Sequence, residues 1–183
     1  MTASLDGRRA APQEPAVTLD TATDLLPRAP HVSIILPCYN EEGHVAAEVA
    51  RICAAMDASG YRYELIAYDD ASTDDTLARL YQAAPRFPRL EIVPFRRNGG
   101  SGTIRRIGTQ RARGEIVVWT DADMTYPNER IPELVQMLEK DPDVDQVVGA
   151  RPASRAVTSC CGYRPSGSYA SWRKGSPTPR SPT

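Results

Sequence analysis

The sequence predicts an α/β fold, a largely parallel sheet with helices on both faces, on three observations. Short apolar runs alternate with amphipathic stretches over about 120 residues, as repeated βαβ units require. The first run, 32–36, is apolar at every position but Ser33, which suits a strand covered on both faces. Three of the runs end in polar clusters, and ligands of such sheets gather at the carboxyl ends of their strands.

Pro37 ends the first run, and Asn40 is placed to cap a helix over about 41–58. Glu41 and Glu42 stand at the positive end of that helix, and Val45, Val49, Ile52 and Met56 recur along one face. Gly60 stops it. A strand at 63–68 follows, then a helix over about 74–84, for which Ser72 and Asp75 have the spacing of a capping box, then a strand at 90–94. The next helix, about 103–113, leads to Gly114 and a strand at 116–120. Pro127 opens a helix reaching about Lys140, and 144–149 reads as the last strand.

Flanking this unit, residues 1–30 are rich in Ala, Pro, Thr and Arg without period and are expected to form a disordered arm. Of the 22 basic residues six follow Ala150, with no acid among them, so the first 150 residues hold 16 basic against 23 acidic side chains. The Ser-, Pro- and Arg-rich 152–183 are expected to form a disordered tail, and a shifted reading frame near codon 151 would account for so abrupt a change. The domains expected are therefore 1–30, 31–151 and 152–183.

Several function classes are disfavoured. The net charge of −1 gives no electrostatic case for nucleic acid. Cys38, Cys53, Cys160 and Cys161 lack paired zinc spacing, and a reducing, cytoplasmic setting is the default. No apolar run reaches the roughly 18–20 residues of a membrane span. A phospho-acceptor signalling domain would want a lysine near a late strand end, and the lysines are Lys140 and Lys174.

The chemistry lies in the strand-end clusters. Asp121-Ala122-Asp123 puts two carboxylates on one turn, where hard divalent cations with phosphate partners are held, although aspartates also end strands for purely local reasons. Asp69 and Asp70 repel one another as they leave a buried strand and need a partner: a base or ribose offering donors, or a cation. Asn98-Gly99-Gly100-Ser101-Gly102 opens a helix bearing Arg105 and Arg106, so backbone amides there can approach an anion. With arginine at the third glycine position it is no dinucleotide fingerprint.

Taken in order, 35–42 (Ile-Leu-Pro-Cys-Tyr-Asn-Glu-Glu), 69–74 (Asp-Asp-Ala-Ser-Thr-Asp), Asn98-x-Gly100-x-Gly102, Arg106-x-Gly108, 112–115 (Ala-Arg-Gly-Glu), Asp121-Ala122-Asp123 and Pro127 resemble the family-2 glycosyltransferases, whose nucleotide-binding domain has the GT-A fold. The resemblance covers about 32–151. It implies that Pro37, Tyr39 and Glu41 line a nucleoside pocket and that Asp70 contacts the base. Asp121 would approach the ribose or sugar as a catalytic-site residue, and Asp123 would bind Mg2+ or Mn2+ bridging the diphosphate. Arg106 would contact phosphate or sugar. Residues 123–132 and 147–151 are most similar to the polyprenyl-phosphate subgroup, which implies a nucleotide-diphosphate sugar donor, a polyprenyl phosphate acceptor and work at the inner membrane face. Past Arg151 the pattern is lost, so the GT-A fold is expected to be incomplete at the C-terminus. The alternative is a catalytically inactive, truncated fragment that binds a nucleotide sugar.

Overall fold

The structure, a computed structural model, describes residues 29–149 and the backbone of 169–173. The elements are β1 (Val32–Cys38), α1 (Val45–Ser59), β2 (Tyr63–Asp69), α2 (Thr76–Ala83), β3 (Leu90–Pro94), α3 (Gly100–Arg111), β4 (Ile116–Trp119), α4 (Ile131–Lys140), β5 (Gln146–Gly149) and β6 (Tyr169–Arg173). Short 3-10 turns follow α2 and precede α4.

The sheet order is β3-β2-β1-β4-β6-β5. β1 lies between β2 and β4, parallel to both, with Val32 opposite Tyr63 on one side and Ile116 on the other. β2 and β3 are parallel as well. Their apolar residues divide by face, as the two-residue period of a strand demands. Ile34, Leu36 and Leu65 join Val49 and Ile52 of α1, Leu80 of α2 and Val135 of α4 in one core, while Ile35, Ile66 and Val117 pack with Ile104 of α3 on the other face. Helices thus cover both faces, as expected.

Pro37 does not end β1. It lies opposite Tyr68 within the strand. The carbonyls of Ile35 and Cys38 accept from Thr120 N–H on the β4 side and from Asp70 N–H on the β2 side. Alternation therefore turns Pro37 toward β4, which has already ended at Trp119, so its missing N–H breaks no ladder.

The expected disordered tail also needs correction. Within 152–183, residues 169–173 form β6, antiparallel to β4 and to β5, so the sheet is mixed at this end. Composition hid the strand, because the Ser and Pro around it dominate the segment. Tyr169–Arg173 itself has no Gly or Pro, and pairing satisfies backbone groups that β4 and β5 would otherwise present as open edges. The rest of the tail, and the arm up to Arg28, lie outside the described residues.

At the amino end of the sheet a buried carboxylate ties three segments. Glu64 accepts from Ser33 Oγ at 2.5 Å, from Arg113 N–H at 2.8 Å and from Arg113 Nε at 2.7 Å, and Ser33 Oγ in turn accepts from Gly114 N–H at 2.8 Å. Burial pushes the Glu64 carboxyl up, but Ser33 and Arg113 more than reverse this and hold it below the usual range. Gly114 is required by contact: a Cβ there would lie 2.7 Å from Ser33 N and 2.8 Å from the Val32 carbonyl carbon.

Three outcomes are expected in urea unfolding. Gly114→Ala loses about 1–3 kcal/mol, because backbone cannot yield, whereas Gly102→Ala, in open space within α3, gains up to about 1 kcal/mol. Glu64→Gln costs about 1–3 kcal/mol at pH 7. A depressed folded pKa gives stability that is complete above the unfolded value near 4.3 and fades as pH falls through the lower folded value, so this deficit shrinks below about pH 4.

Candidate functional site

Because β1, β2 and β4 are parallel, their carboxyl ends open on one side, and the loops that follow meet there. After β1 the chain turns at Asn40, which has φ of 55°. Asn40 does not cap α1, whose N-cap is His44 with no side-chain cap bond. Its amide oxygen instead accepts from Thr73 N–H at 2.8 Å, and its own N–H donates to Ser72 Oγ at 3.1 Å. The capping box of Ser72 and Asp75 is likewise not formed. Glu42 Oε2 accepts from Asp75 N–H at 2.9 Å, Asp74 Oδ2 accepts from Glu42 N–H at 3.1 Å, and Thr76 Oγ1 accepts from Glu41 N–H at 2.7 Å, while Asp74 Oδ1 takes Thr76 N–H at 3.0 Å. These short polar side chains lock the β1 loop to the β2 loop, so both helices begin later than their sequence signals suggest. The lock presents Tyr39, half exposed, and Glu41 to the cleft.

At the end of β2 the expected partner of the acidic pair is found within the chain. Asp70, 2% exposed, accepts from Gly99 N–H at 2.7 Å and Gly100 N–H at 2.8 Å, and its carbonyl accepts from Asn98 Nδ2 at 3.3 Å. The glycine-rich loop at the start of α3 therefore holds an anion, and that anion is Asp70. Gly100 makes the turn with φ of 77°. Asp70 lines the cleft, but both carboxylate oxygens are committed to the loop, which leaves it to shape the cleft more than to bind through these atoms. Asp69 Oδ2 accepts from Ser72 N–H at 3.4 Å, and its Oδ1 is buried without a partner.

At the end of β4, Asp121 Oδ1 accepts from Arg105 Nη2 at 3.0 Å, and Asp123 Oδ1 accepts from Thr125 N–H at 3.0 Å and Thr125 Oγ1 at 2.7 Å. Met124, with φ of 62°, turns the loop sharply after Asp123.

A cleft of about 190 Å³ lies between these loops, lined by Pro37, Cys38, Tyr39, Glu41, Asp70, Ser101, Ile104, Asp121, Ala122 and Asp123. Pro37, Tyr39, Glu41, Asp70, Asp121 and Asp123 are thus brought together as expected. Arg106 is not: it is exposed and does not line the cleft. Helical phase explains this, since Ile104 and Gly108 face the core and Arg106, about 200° around the helix from Ile104, points away, while Arg105 reaches Asp121. The periodicity of α3 carried that signal. Cys38 is no nucleophile, because burial first and the charges of Asp69 and Glu41 next push its thiol well above the usual range.

Four carboxylates and one nearby guanidinium leave the cleft electronegative, so any anionic ligand entering it would need an accompanying cation. Among the described residues no group of three or more His, Cys, Asp or Glu side chains could hold a metal. Asp123 could hold a divalent ion only with most of its ligands supplied from outside the chain, which fits the sparse carboxylate ligation typical of Mg2+.

Sequence reasoning noted Ser101 and Arg105 only as parts of the glycine-rich loop and its helix, without assigning either to the site, and missed a buried group behind the acidic loop. Glu48 of α1, fully buried, pairs with Arg51 at 2.7 Å and accepts from Asn128 Nδ2. Charged residues on an apolar helix face give no spacing signal of their own.

Asp70→Asn sets an amide NH2 against one of the two glycine N–H groups. A loss of about 1–3 kcal/mol is expected, with faster amide exchange at Gly99 and Gly100 before the rest of the sheet opens.

The model of glycosyl transferase family 2 matches residues 33–166, past the boundary expected at 151. The undecaprenyl-phosphate 4-deoxy-4-formamido-L-arabinose transferase of Shewanella sediminis is 37% identical over 114 residues, 61% of this chain and 34% of that protein. The dodecaprenyl-phosphate galacturonate synthase of Rhizobium johnstonii is 38% identical over 122 residues, 66% of this chain and 36% of that protein. The chain thus spans about a third of the length of these relatives. A mannosyltransferase from Pyrobaculum calidifontis, solved with GDP-Man and Mn2+, superposes with a TM-score of 0.60 at 25% identity, over 79% of this chain and 44% of that one. Glucosyl-3-phosphoglycerate synthase from Mycobacterium tuberculosis, at 20% identity and a TM-score of 0.61 over 79% of this chain and 57% of that one, shares the fold. No helix among the described residues is long and apolar enough to cross a membrane. With the ordered strand-end clusters, the GT-A type sheet and a family match over most of its length, the chain belongs to glycosyl transferase family 2.

Proposed function

We propose that this chain provides the donor site of a glycosyltransferase that takes its sugar from a nucleotide-diphosphate sugar and passes it to a polyprenyl phosphate at the membrane face. The observation that carries the proposal is the convergence of Tyr39, Glu41, Asp70, Asp121 and Asp123 on one cleft at the carboxyl ends of parallel strands. Both curated relatives are named for polyprenyl-phosphate chemistry, and the mannosyltransferase above was solved with a nucleotide sugar and Mn2+.

In this reading Pro37, Tyr39 and Glu41 bind the nucleoside, with the exposed Tyr39 ring offered to the base, and Asp70 keeps the glycine loop in place beneath it. Asp121 faces the ribose or sugar while Arg105 fixes its carboxylate. Arg105 replaces Arg106 as the cation nearest the diphosphate. A divalent ion at Asp123, when bound, neutralises charge that builds on the leaving nucleoside diphosphate. An acceptor phosphate oxygen forms the new bond to the anomeric carbon as the bond to the diphosphate oxygen breaks. That acceptor is already anionic, so no strong general base is needed, in keeping with a cleft in which Glu41, Asp121 and Asp123 are held for binding.

Calorimetry with UDP- and GDP-sugars in the presence of Mn2+ tests the donor site. Saturable, metal-dependent binding is expected. Asp123→Ala weakens it about 10–100-fold, the equivalent of one charge-assisted contact; Arg105→Ala weakens it more than Arg106→Ala does. Absence of any metal-dependent binding would falsify the donor reading. Donor binding with no transfer to undecaprenyl phosphate would identify the catalytically inactive fragment.

A further inference from the structure

The loop bearing Asp121 and Asp123 is held from behind by α1. Glu48 is fully buried, and Arg51 Nη2 meets its two oxygens at 2.9 and 2.7 Å. Glu48 Oε1 also accepts from Asn128 Nδ2. Asn128, equally buried, accepts from Thr120 Oγ1 through its amide oxygen and directs Nδ2 to the Asp121 carbonyl at 3.4 Å. Arg51 Nη2 donates to the Tyr126 carbonyl at 2.5 Å, and Nη1 lies 3.5 Å from Glu129. Residues 120, 121, 126 and 128 are therefore tied, directly or through Asn128, to one buried pair on α1.

Stability alone does not account for this pair. Glu48 shares its helix face with Val45, Val49 and Ile52, where an apolar side chain would pack without desolvating a carboxylate. Buried ion pairs give little net stability over well-packed apolar replacements, and fixing geometry is a better reason to bury one. Here the geometry fixed is that of an irregular loop with a left-handed residue, Met124, next to Asp123. We propose that Glu48 and Asn128 are positioning residues that set the aim and separation of the Asp121 and Asp123 carboxylates for the metal-bound donor. The proposal rests on the donor reading above. Supporting partners of metal ligands typically alter metal affinity 10–100-fold when removed.

The test uses the full chain with Asn128→Ala, Glu48→Gln, and Arg130→Ala as a control, since Arg130 is exposed and bonds Glu133. Amide hydrogen exchange is followed in 120–128 and, for comparison, in β1 and β2, and Mn2+ with UDP and with GDP is titrated by calorimetry. For Asn128→Ala the expected result is exchange about 10-fold faster in 120–128 alone and nucleotide affinity lowered about 10–100-fold. Glu48→Gln falls between, because its amide oxygen still accepts from Asn128, and the control matches the parent chain. Unchanged exchange in the loop, unchanged affinity, or faster exchange throughout β1 and β2 overturns the positioning role, the last because it would mark ordinary core residues. A parent chain that binds neither nucleotide overturns the donor reading and this role with it, whatever the exchange shows.

Discussion

β1 has neighbours on both sides, and both run with it. Parallel pairing with β2 and β4 sends three consecutive carboxyl ends to one edge of the sheet, so the polypeptide must leave that edge through loops with no ladder to hold them. Everything placed in the cleft follows from how those loops are restrained. The β1 and β2 loops restrain each other through Asn40, Glu42, Ser72, Asp74 and Thr76; the β3 loop is hung on Asp70; the β4 loop is tied to α1.

These restraints also sort the acids of the cleft by what they can do. Asp70 spends both oxygens on Gly99 and Gly100, so its charge is largely answered before any ligand arrives. Asp121 is answered on one oxygen by Arg105. Asp123 accepts from Thr125, and among the described residues no salt-bridge cation stands beside it, which is why the proposed donor reading gives the metal to this carboxylate. Three carboxylates after two strands, Asp70 after β2 and Asp121 and Asp123 after β4, thus differ in how far their charge is already answered, and the difference lies in their partners.

The sheet was largely readable from sequence because parallel strands buried on both faces must be apolar at nearly every position. β3 was found to the residue, and β1 and β2 extend only a residue or two beyond their apolar runs. Helix starts were less readable, since Asn40 and Ser72 carry the side chains of caps and use them across loops instead. The acidic residues of the cleft were readable because they follow strands directly. Arg105 was passed over for Arg106 because a motif ignores helical phase. Glu48 and Asn128 were invisible because their significance is an encounter between residues 80 apart in sequence. β6 was hidden by the composition around it.

Two buried carboxylates stand at opposite ends of the sheet, and they show one solution applied twice. Glu64 binds Ser33, Arg113 and, through Ser33, Gly114 at the amino end; Glu48 binds Arg51 and Asn128 at the carboxyl end. In each place the chain must pass an irregular segment close to a strand, and backbone amides or a guanidinium there need an acceptor that the ladder cannot supply. A carboxylate can accept several such bonds at once, which no apolar residue can, and its burial is tolerable only because they are all made. At the amino end the result is a tight corner at Gly114. At the carboxyl end the same device holds the loop of Asp121 and Asp123, so a buried charge that adds little stability can still fix where two half-buried charges stand, which is the basis of the positioning role proposed above.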